Sequence, residues 1–256
     1  MKVVFVGSGN LATHLATALH EKGICISQVY SRTTSNAKML AEKLQTTYTD
    51  DPDQIVQDAD IYFYALKDDA LAEFLKKVNL PDAIHVHTSG SVSISIFREL
   101  TYNYGVFYPV QTFTKDKLVD FSTTPICIEA ANSLVEEELI QLAELLTNKI
   151  YNINSEQRKV IHLAAVFACN FSNYMYDASA EILNDAGLNF EILKPLISET
   201  ADKIRTLTPY NAQTGPAVRF DKNIMDKQIA ILKPYPALKK IYKLISKNIY
   251  LRHLKK

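Results

Sequence analysis

No stretch of this 256-residue chain strings together the eighteen or so apolar residues that a membrane helix needs, so no spanning segment is expected. The opening MKVVFVG is too short an apolar run for a secretory leader. There is no excess of either charge: 28 Lys and Arg balance 28 Asp and Glu. A neutral chain exerts no long-range pull on a polyanion, which argues against nucleic acid or a membrane surface as partner. Cysteine is scarce. Cys25, Cys127 and Cys169 are odd in number and far apart, and two lie inside apolar runs, so they read as reduced core residues and neither a disulfide framework nor a metal cluster is expected. The expected setting is the cytoplasm. The 47% of hydrophobic residues is enough for one large core or two smaller ones.

Against these absences the first residues are informative. An apolar run from Val3 to Val6 breaks into Gly7, Ser8, Gly9, Asn10, Leu11 and Ala12, and a helical pattern follows with Leu11, Leu15 and Leu19 at four-residue spacing and Gly23 as its stop. Gly7 suits a tight strand-to-helix turn, Gly9 lets a backbone approach a pyrophosphate, and Ala12 takes the place of a third glycine where helix packs on strand. The helix N-terminus then faces the anion. A methyltransferase or a degenerate copy of the fold is the competing reading of this turn.

The end of the next strand, Ile24 to Tyr30, separates the dinucleotides. An NAD site places Asp or Glu there to accept the ribose hydroxyls. This chain has Ser31, Arg32, Thr33 and Thr34, a guanidinium and three hydroxyls suited to a 2′-phosphate, so NADP is the expected cofactor. The missing acid also counts against a methyltransferase. Alternatively Arg32 is a solvated loop residue and Ser35 caps a helix over 36–44.

Further strands are expected at Ile61 to Ala65, Ala83 to His87, Tyr104 to Phe107, Pro125 to Glu129 and Lys149 to Ile153, with helices between them, the clearest over 134–147. This alternation predicts a mostly parallel sheet flanked by helices. From Ser155 the strand signal stops, and helical patterns run over 156–186, 189–206 and 221–251. The expected organisation is an α/β dinucleotide-binding domain over 1–154 and an all-helical domain over 155–256.

The segments GSGNLA, SRT, ALKDDAL at 65–71, HTSGS at 87–91, HLAAVFACNF at 162–171 and TGPAVRFD at 214–221 together resemble a bacterial family of Rossmann-like proteins with a DUF2520 C-terminal domain. The likeness spans nearly the whole chain. More distantly the layout is similar to pyrroline-5-carboxylate reductase, the coenzyme-F420-dependent NADP reductases and the β-hydroxyacid dehydrogenases, which pair a Rossmann domain with a helical domain of the 6-phosphogluconate dehydrogenase type. The resemblance implies an NADP-dependent oxidoreductase but no particular substrate. It implies that Ala65 and Leu66 line the cofactor, that Ser89 and Gly90 meet the nicotinamide or substrate, and that Gln111 lines the same cleft. Asp68 and Asp69 read as caps of the helix expected from Ala70 to Val78. His85 and His87 share a strand face, and packed histidines are expected there in preference to a metal pair.

On the helix from Glu156, the β-hydroxyacid dehydrogenases carry a Lys and an Asn one turn on. This chain departs from that pattern with Lys159, His162 and Asn170, where His162, Val166 and Asn170 fall on one stripe. His162 is the candidate general acid, with Asn170 and Ser89 orienting the substrate. A buried His that merely satisfies a backbone group is the alternative. The resemblance brings Arg219 to the substrate's anionic end, against a simple pair with Asp221. The tail from Lys227 has no acid and carries Lys239, Lys240, Lys243, Lys247, Arg252, Lys255 and Lys256 beside an apolar stripe, and reads as a docked helix with a solvated cationic face. Leu163, Val166, Phe167, Phe171, Tyr174 and Met175 offer more apolar surface than a peripheral helix needs, so a homodimer is expected. The function expected is hydride transfer between NADP(H) and a small, anionic carbonyl or imine substrate. The alternative is a catalytically silent NADP-binding sensor or assembly module.

Overall fold

The computed structural model describes residues 1–115 and 117–254. Its first unit alternates strands and helices: β1 (Lys2–Val6), α1 (Asn10–Glu21), β2 (Cys25–Tyr30), α2 (Thr34–Leu44), β3 (Thr47–Thr49), β4 (Ile61–Tyr64), α3 (Asp68–Leu75), β5 (Ile84–His87), β6 (Tyr104–Pro109), β7 (Ile126–Ala130), α4 (Ser133–Glu144), β8 (Ile150–Asn152) and α5 (Ser155–Ala165). The eight strands form one sheet in the order β3-β2-β1-β4-β5-β6-β7-β8. The first six strands in that order pair in parallel, which is the doubly wound nucleotide-binding arrangement, so the expected α/β architecture is observed. All seven expected strands are present. The polar three-residue β3 is an addition, held by pairing with β2.

One pairing breaks the parallel run. β7 lies antiparallel to β6, with Tyr108 opposite Cys127 and Val106 opposite Glu129, and β8 follows β7 in parallel. β1, β4, β5 and β6 are buried on both faces because helices cover both sides, which is why they read as continuous apolar runs. Val3, Phe5, Phe63, Val86 and Phe107 pack with Leu15, Leu19 and Leu139 on one face. Val4, Val6, Tyr62, Tyr64 and Phe97 pack with Leu71 and Phe74 on the other. Of the cysteines, Cys127 is core as expected and burial pushes its thiol up to about 11. Cys25, at the start of β2, and Cys169 are exposed instead.

By contact density the chain divides after Asn170, sixteen residues past the strand-to-helix change at 154, because α5 packs back on the first unit. The helix expected over 156–186 is not continuous: a π turn occupies Val166–Phe171 between α5 and α6 (Ser172–Asp185). The second unit continues with α7 (Lys194–Lys203), α8 (Pro209–Ala212), α9 (Pro216–Arg219), α10 (Lys222–Ile231) and α11 (Pro236–Leu254). The helix expected over 221–251 is split between α10 and α11, since Pro234 and Pro236 cannot continue a helical ladder. α11 packs on α9, with Phe220 stacked on Tyr250 at 4.4 Å. Lys255 and Lys256 of the basic tail lie outside the described residues. No helix among the described residues is long and apolar enough to cross a membrane.

Candidate functional site

The turn after β1 is built by Gly7. Its φ of +122° is a conformation that side chains avoid, and a Cβ there would stand 2.3 Å from the Ala65 carbonyl oxygen. Gly7 N–H donates to Tyr30 O at 2.8 Å and Ala65 N–H donates to Val6 O at 2.9 Å, so β1, β2 and β4 converge on this turn. Gly9 differs. A Cβ there would meet nothing within 4 Å, so the small residue leaves open space in front of α1, whose N-cap it is. The first turn of α1 has neither a side-chain cap nor an acidic residue. Its amides are therefore uncompensated donors, the arrangement that receives a phosphate. Asn10, one of the predicted contacts, uses its side-chain amide to hold Phe113 O at 2.9 Å, and His14 bonds Thr114 O at the same distance.

Beyond the ends of β2 and β4 lies a cavity of about 470 Å³, lined by Tyr30, Arg32, Leu66, Lys67, Phe74 and Lys77. Asp69 and Glu73 share the lining with the three cations, which leaves an excess of one positive charge beside an apolar floor and suits an adenosine bearing an extra phosphate. Ser31 Oγ accepts from the Thr33 amide at 3.3 Å, and Thr33 stands at the N-cap of α2 without a side-chain bond. The expected Ser35 cap is therefore not formed, because α2 starts two residues earlier than the polar run suggested. Lys67 and Lys77 escaped the sequence reading: one belongs to the loop after β4 and the other follows α3, and only the fold brings them to Arg32.

The loop after β5 is fastened at Ser89. Its Oγ donates to Asp68 Oδ1 at 2.8 Å and accepts from the Ser91 and Val92 amides at 3.1 Å each, while Ser91 Oγ donates to Asp68 Oδ2. Asp68 thus joins the loops after β4 and β5. It does not cap α3, whose N-cap is Lys67, because the two serine hydroxyls occupy its carboxylate. Below the loop, His87 is wholly buried, accepts from the Ser89 amide at 3.2 Å, and is driven by burial down to about 3. His85 lies between Tyr64 Oη at 2.9 Å and Pro81 O at 3.0 Å, and burial lowers it too. Both histidines are packed residues of the sheet.

Gly90 closes this loop against α5. A Cβ on Gly90 would lie 2.7 Å from Nδ1 and 3.0 Å from Cβ of His162, so only glycine lets the imidazole lie there. The ring is exposed and its Nδ1 is 3.1 Å from the Oη of buried Tyr108 on β6. His162 is therefore not absorbed in a core. One turn earlier, wholly buried Arg158 bonds Glu129 of β7 and the Val92 carbonyl, and lies 3.2 Å from Ser155 Oγ. Ser155 donates its own amide (2.9 Å) and hydroxyl (2.8 Å) to Glu129 and accepts from the Ile94 amide at 3.0 Å. This network sets the position of α5, and hence of His162, against the β5 loop. Arg158 and Glu129 had no sequence signal that set them apart from surface charges.

The other predicted residues have surroundings of their own. Asn170 falls on the π turn, whose wider winding takes it off the stripe shared by His162 and Val166. Gln111 is exposed and turns its carbonyl oxygen to the Thr112 amide at 2.8 Å. Lys159 pairs with Glu156 at 2.7 Å on the surface. Arg219 is exposed at the end of α9 in the second unit, and Asp221 does not pair with it but caps α10 by accepting from the Ile224 amide at 3.2 Å.

Residues 2–92 match the family described as NADP oxidoreductase, coenzyme F420-dependent, and residues 124–249 match the domain of unknown function DUF2520. Among solved structures, a candidate NADP oxidoreductase from Bacteroides fragilis is 44% identical over 98% of both chains, with a TM-score of 0.94. A protein from Thermotoga maritima is 25% identical over 98% of both chains, with a TM-score of 0.82. An imine reductase from Myxococcus stipitatus in complex with NADP+ shares the fold, at 14% identity over 100% of this chain and 93% of that one, with a TM-score of 0.71. No curated protein matches.

Proposed function

We propose that this chain, which belongs to the Rossmann-like family carrying the DUF2520 domain, is an NADP-dependent oxidoreductase that reduces a small carbonyl or imine compound. The observation that carries the reading is His162, an exposed imidazole fastened to Tyr108 and fitted against Gly90 at the loop that leaves the carboxyl end of β5. In sheets of this topology that edge is where ligands bind. The open space before Gly9 and the uncapped start of α1 fit a pyrophosphate, and Arg32 with Lys67 and Lys77 fits a 2′-phosphate. Gly7, Ser8, Gly9, Asn10 and Leu11 would hold the first group, Ser31, Arg32 and Thr33 the second, with Ala65 and Leu66 beneath. When bound, the dinucleotide supplies the hydride. His162 gives a proton to the substrate oxygen or nitrogen, and Ser89, fixed by Asp68, keeps the loop and Gly90 in place for that approach. Arg219 stays our candidate for an anionic group of the substrate by family likeness.

The test is a screen for NADPH consumption over cyclic imines and small keto acids. His162→Ala should lower turnover by at least about 10²-fold, the bottom of the range for a general acid, with NADP affinity unchanged. Full turnover in that variant would remove His162 from the mechanism.

We also propose a homodimer through the helical unit. Among the described residues from Phe171 on, the only buried apolar side chains are Ala178, Ala217, Met225 and Leu232, whereas Phe171, Tyr174, Leu196, Ile204 and Leu244 are at least 45% exposed. So small a core does not support a unit of this size without further cover. Sedimentation at micromolar concentration should give twice the 28.9 kDa chain mass. A monomer there would refute it.

A further inference from the structure

We infer that Tyr108 is a positioning residue that fixes the tautomer of His162, keeping Nδ1 free of hydrogen and the ring hydrogen on Nε2. The inference deepens the assignment of His162 as proton donor and rests on that assignment for its role in catalysis. The tautomer itself follows from hydrogen-bond accounting. The Tyr108 hydroxyl carries one hydrogen, the residue is 8% exposed, and His162 Nδ1 at 3.1 Å is its one hydrogen-bond partner among the described residues. If Nδ1–H donated to the oxygen, the hydroxyl hydrogen would be left without a partner among the described residues. If the hydroxyl donates to Nδ1, both groups are satisfied. Burial also raises the phenol above its ordinary range, so it keeps the hydrogen it has to give.

Two further contacts hold the ring in the pose this bond needs. The ring lies edge-on to the Tyr108 ring at 6.1 Å, and the absence of a Cβ on Gly90 leaves room for Nδ1. Nδ1 is therefore spent on the sheet, and Nε2 is the nitrogen left to meet a ligand. Fixing the tautomer means that Nε2 meets the substrate with a hydrogen in place; as that hydrogen passes to the atom that gains charge, the Tyr108 hydroxyl hydrogen passes to Nδ1, so the ring stays neutral and the phenolate recovers its proton from solvent. In a ring free to exchange tautomers, part of the population would present a bare nitrogen there and act as an acceptor.

Histidine-labelled protein observed through long-range ¹⁵N–¹H couplings reads the tautomer directly, without substrate or cofactor. In the wild type the His162 Nδ1 should resonate as a pyridine-like nitrogen and Nε2 as a pyrrole-like one. In Tyr108→Phe, which keeps the ring's packing, both signals should move toward the averaged positions of a mixture. A wild-type ring protonated at Nδ1, or the same tautomer ratio in the two proteins, would overturn the inference. The measurement needs no turnover, so its failure is separate from failure of the oxidoreductase reading, which the NADPH screen tests.

Discussion

Replacing Arg158 with Met should destabilise the first unit more than any surface charge change, and the structure sets the scale. Arg158 is the largest wholly buried side chain among the described residues, and its guanidinium serves Glu129, the Val92 carbonyl and Ser155. Met fills much of the volume, so little of the loss comes from a cavity. What remains is a Glu129 carboxylate only 13% exposed, left with Ser155 alone, and a carbonyl without its donor. Removing one partner of a buried ion pair costs about 3–5 kcal/mol. The edge exposure of Glu129 and its Ser155 bonds place this case near the lower end, about 3 kcal/mol, which for a chain of this size lowers the melting temperature by about 6–12 °C. Thermal unfolding followed by circular dichroism reads it. Adding Glu129→Leu should then restore most of the loss, because two apolar groups no longer need each other's charge. A single variant within about 1 kcal/mol of the wild type, or a double variant no better than the single, would refute this account of the clamp.

Arg32→Asp should move cofactor preference from NADP toward NAD, by about 1.5–3 kcal/mol for one lost charge-assisted contact; calorimetry showing equal affinity for both in the unaltered protein would sink the assignment. His87, held neutral by burial down to about 3, makes the fold sensitive to acid: the unfolded chain takes up a proton near pH 6.5 that the folded chain refuses, so this contribution is complete above about pH 6.5 and is lost as pH falls toward 3. His85 acts in the same direction. Unfolding free energies from urea titrations should decline between about pH 7 and 5 with a slope approaching 1.4 kcal/mol per pH unit for His87, and His87→Phe should flatten the decline. Gly90→Ala should displace the imidazole and break its bond to Tyr108 at a cost of about 1–3 kcal/mol, and a crystal structure of the variant with that bond intact would contradict the fit described above.

Much of the sheet was legible because its strands are buried on both faces and stand out as short apolar runs, and the phosphate turn because Gly7 and Gly9 sit between such a run and a periodic helix. His162 and Gly90 were visible as residue types, but their contact joins positions 72 residues apart and leaves no local pattern. Arg158 looked like any helix charge. Its burial depends on Glu129 from a strand that runs the other way, a fact of topology and not of composition. Asp68 was misread as a cap because local rules favour Asp before a helix, whereas two hydroxyls from another loop compete for the same carboxylate. The π turn leaves no mark in apolar spacing, while the break at Pro234 and Pro236 was plainly written and outweighed by the periodicity around it.

The reversal at β7 has a consequence for reach. In an all-parallel sheet every strand delivers the chain to the phosphate-binding edge, and the next helix must carry it away. Here β7 and β8 deliver it to the far edge, so α5 has to travel back along the flank of the sheet. It acts as a measuring rod: Ser155 is pinned to Glu129 near the departure point, and His162, seven residues on and about 10 Å further at 1.5 Å per residue, comes level with Tyr108 and Gly90. Arg158 and His162 are separated by about one turn, so the clamp and the imidazole address the same flank. A single residue inserted between them would leave the clamp closed and swing the imidazole about 100° around the helix. The spacing between Arg158 and His162 is thus as much a part of the site as either side chain.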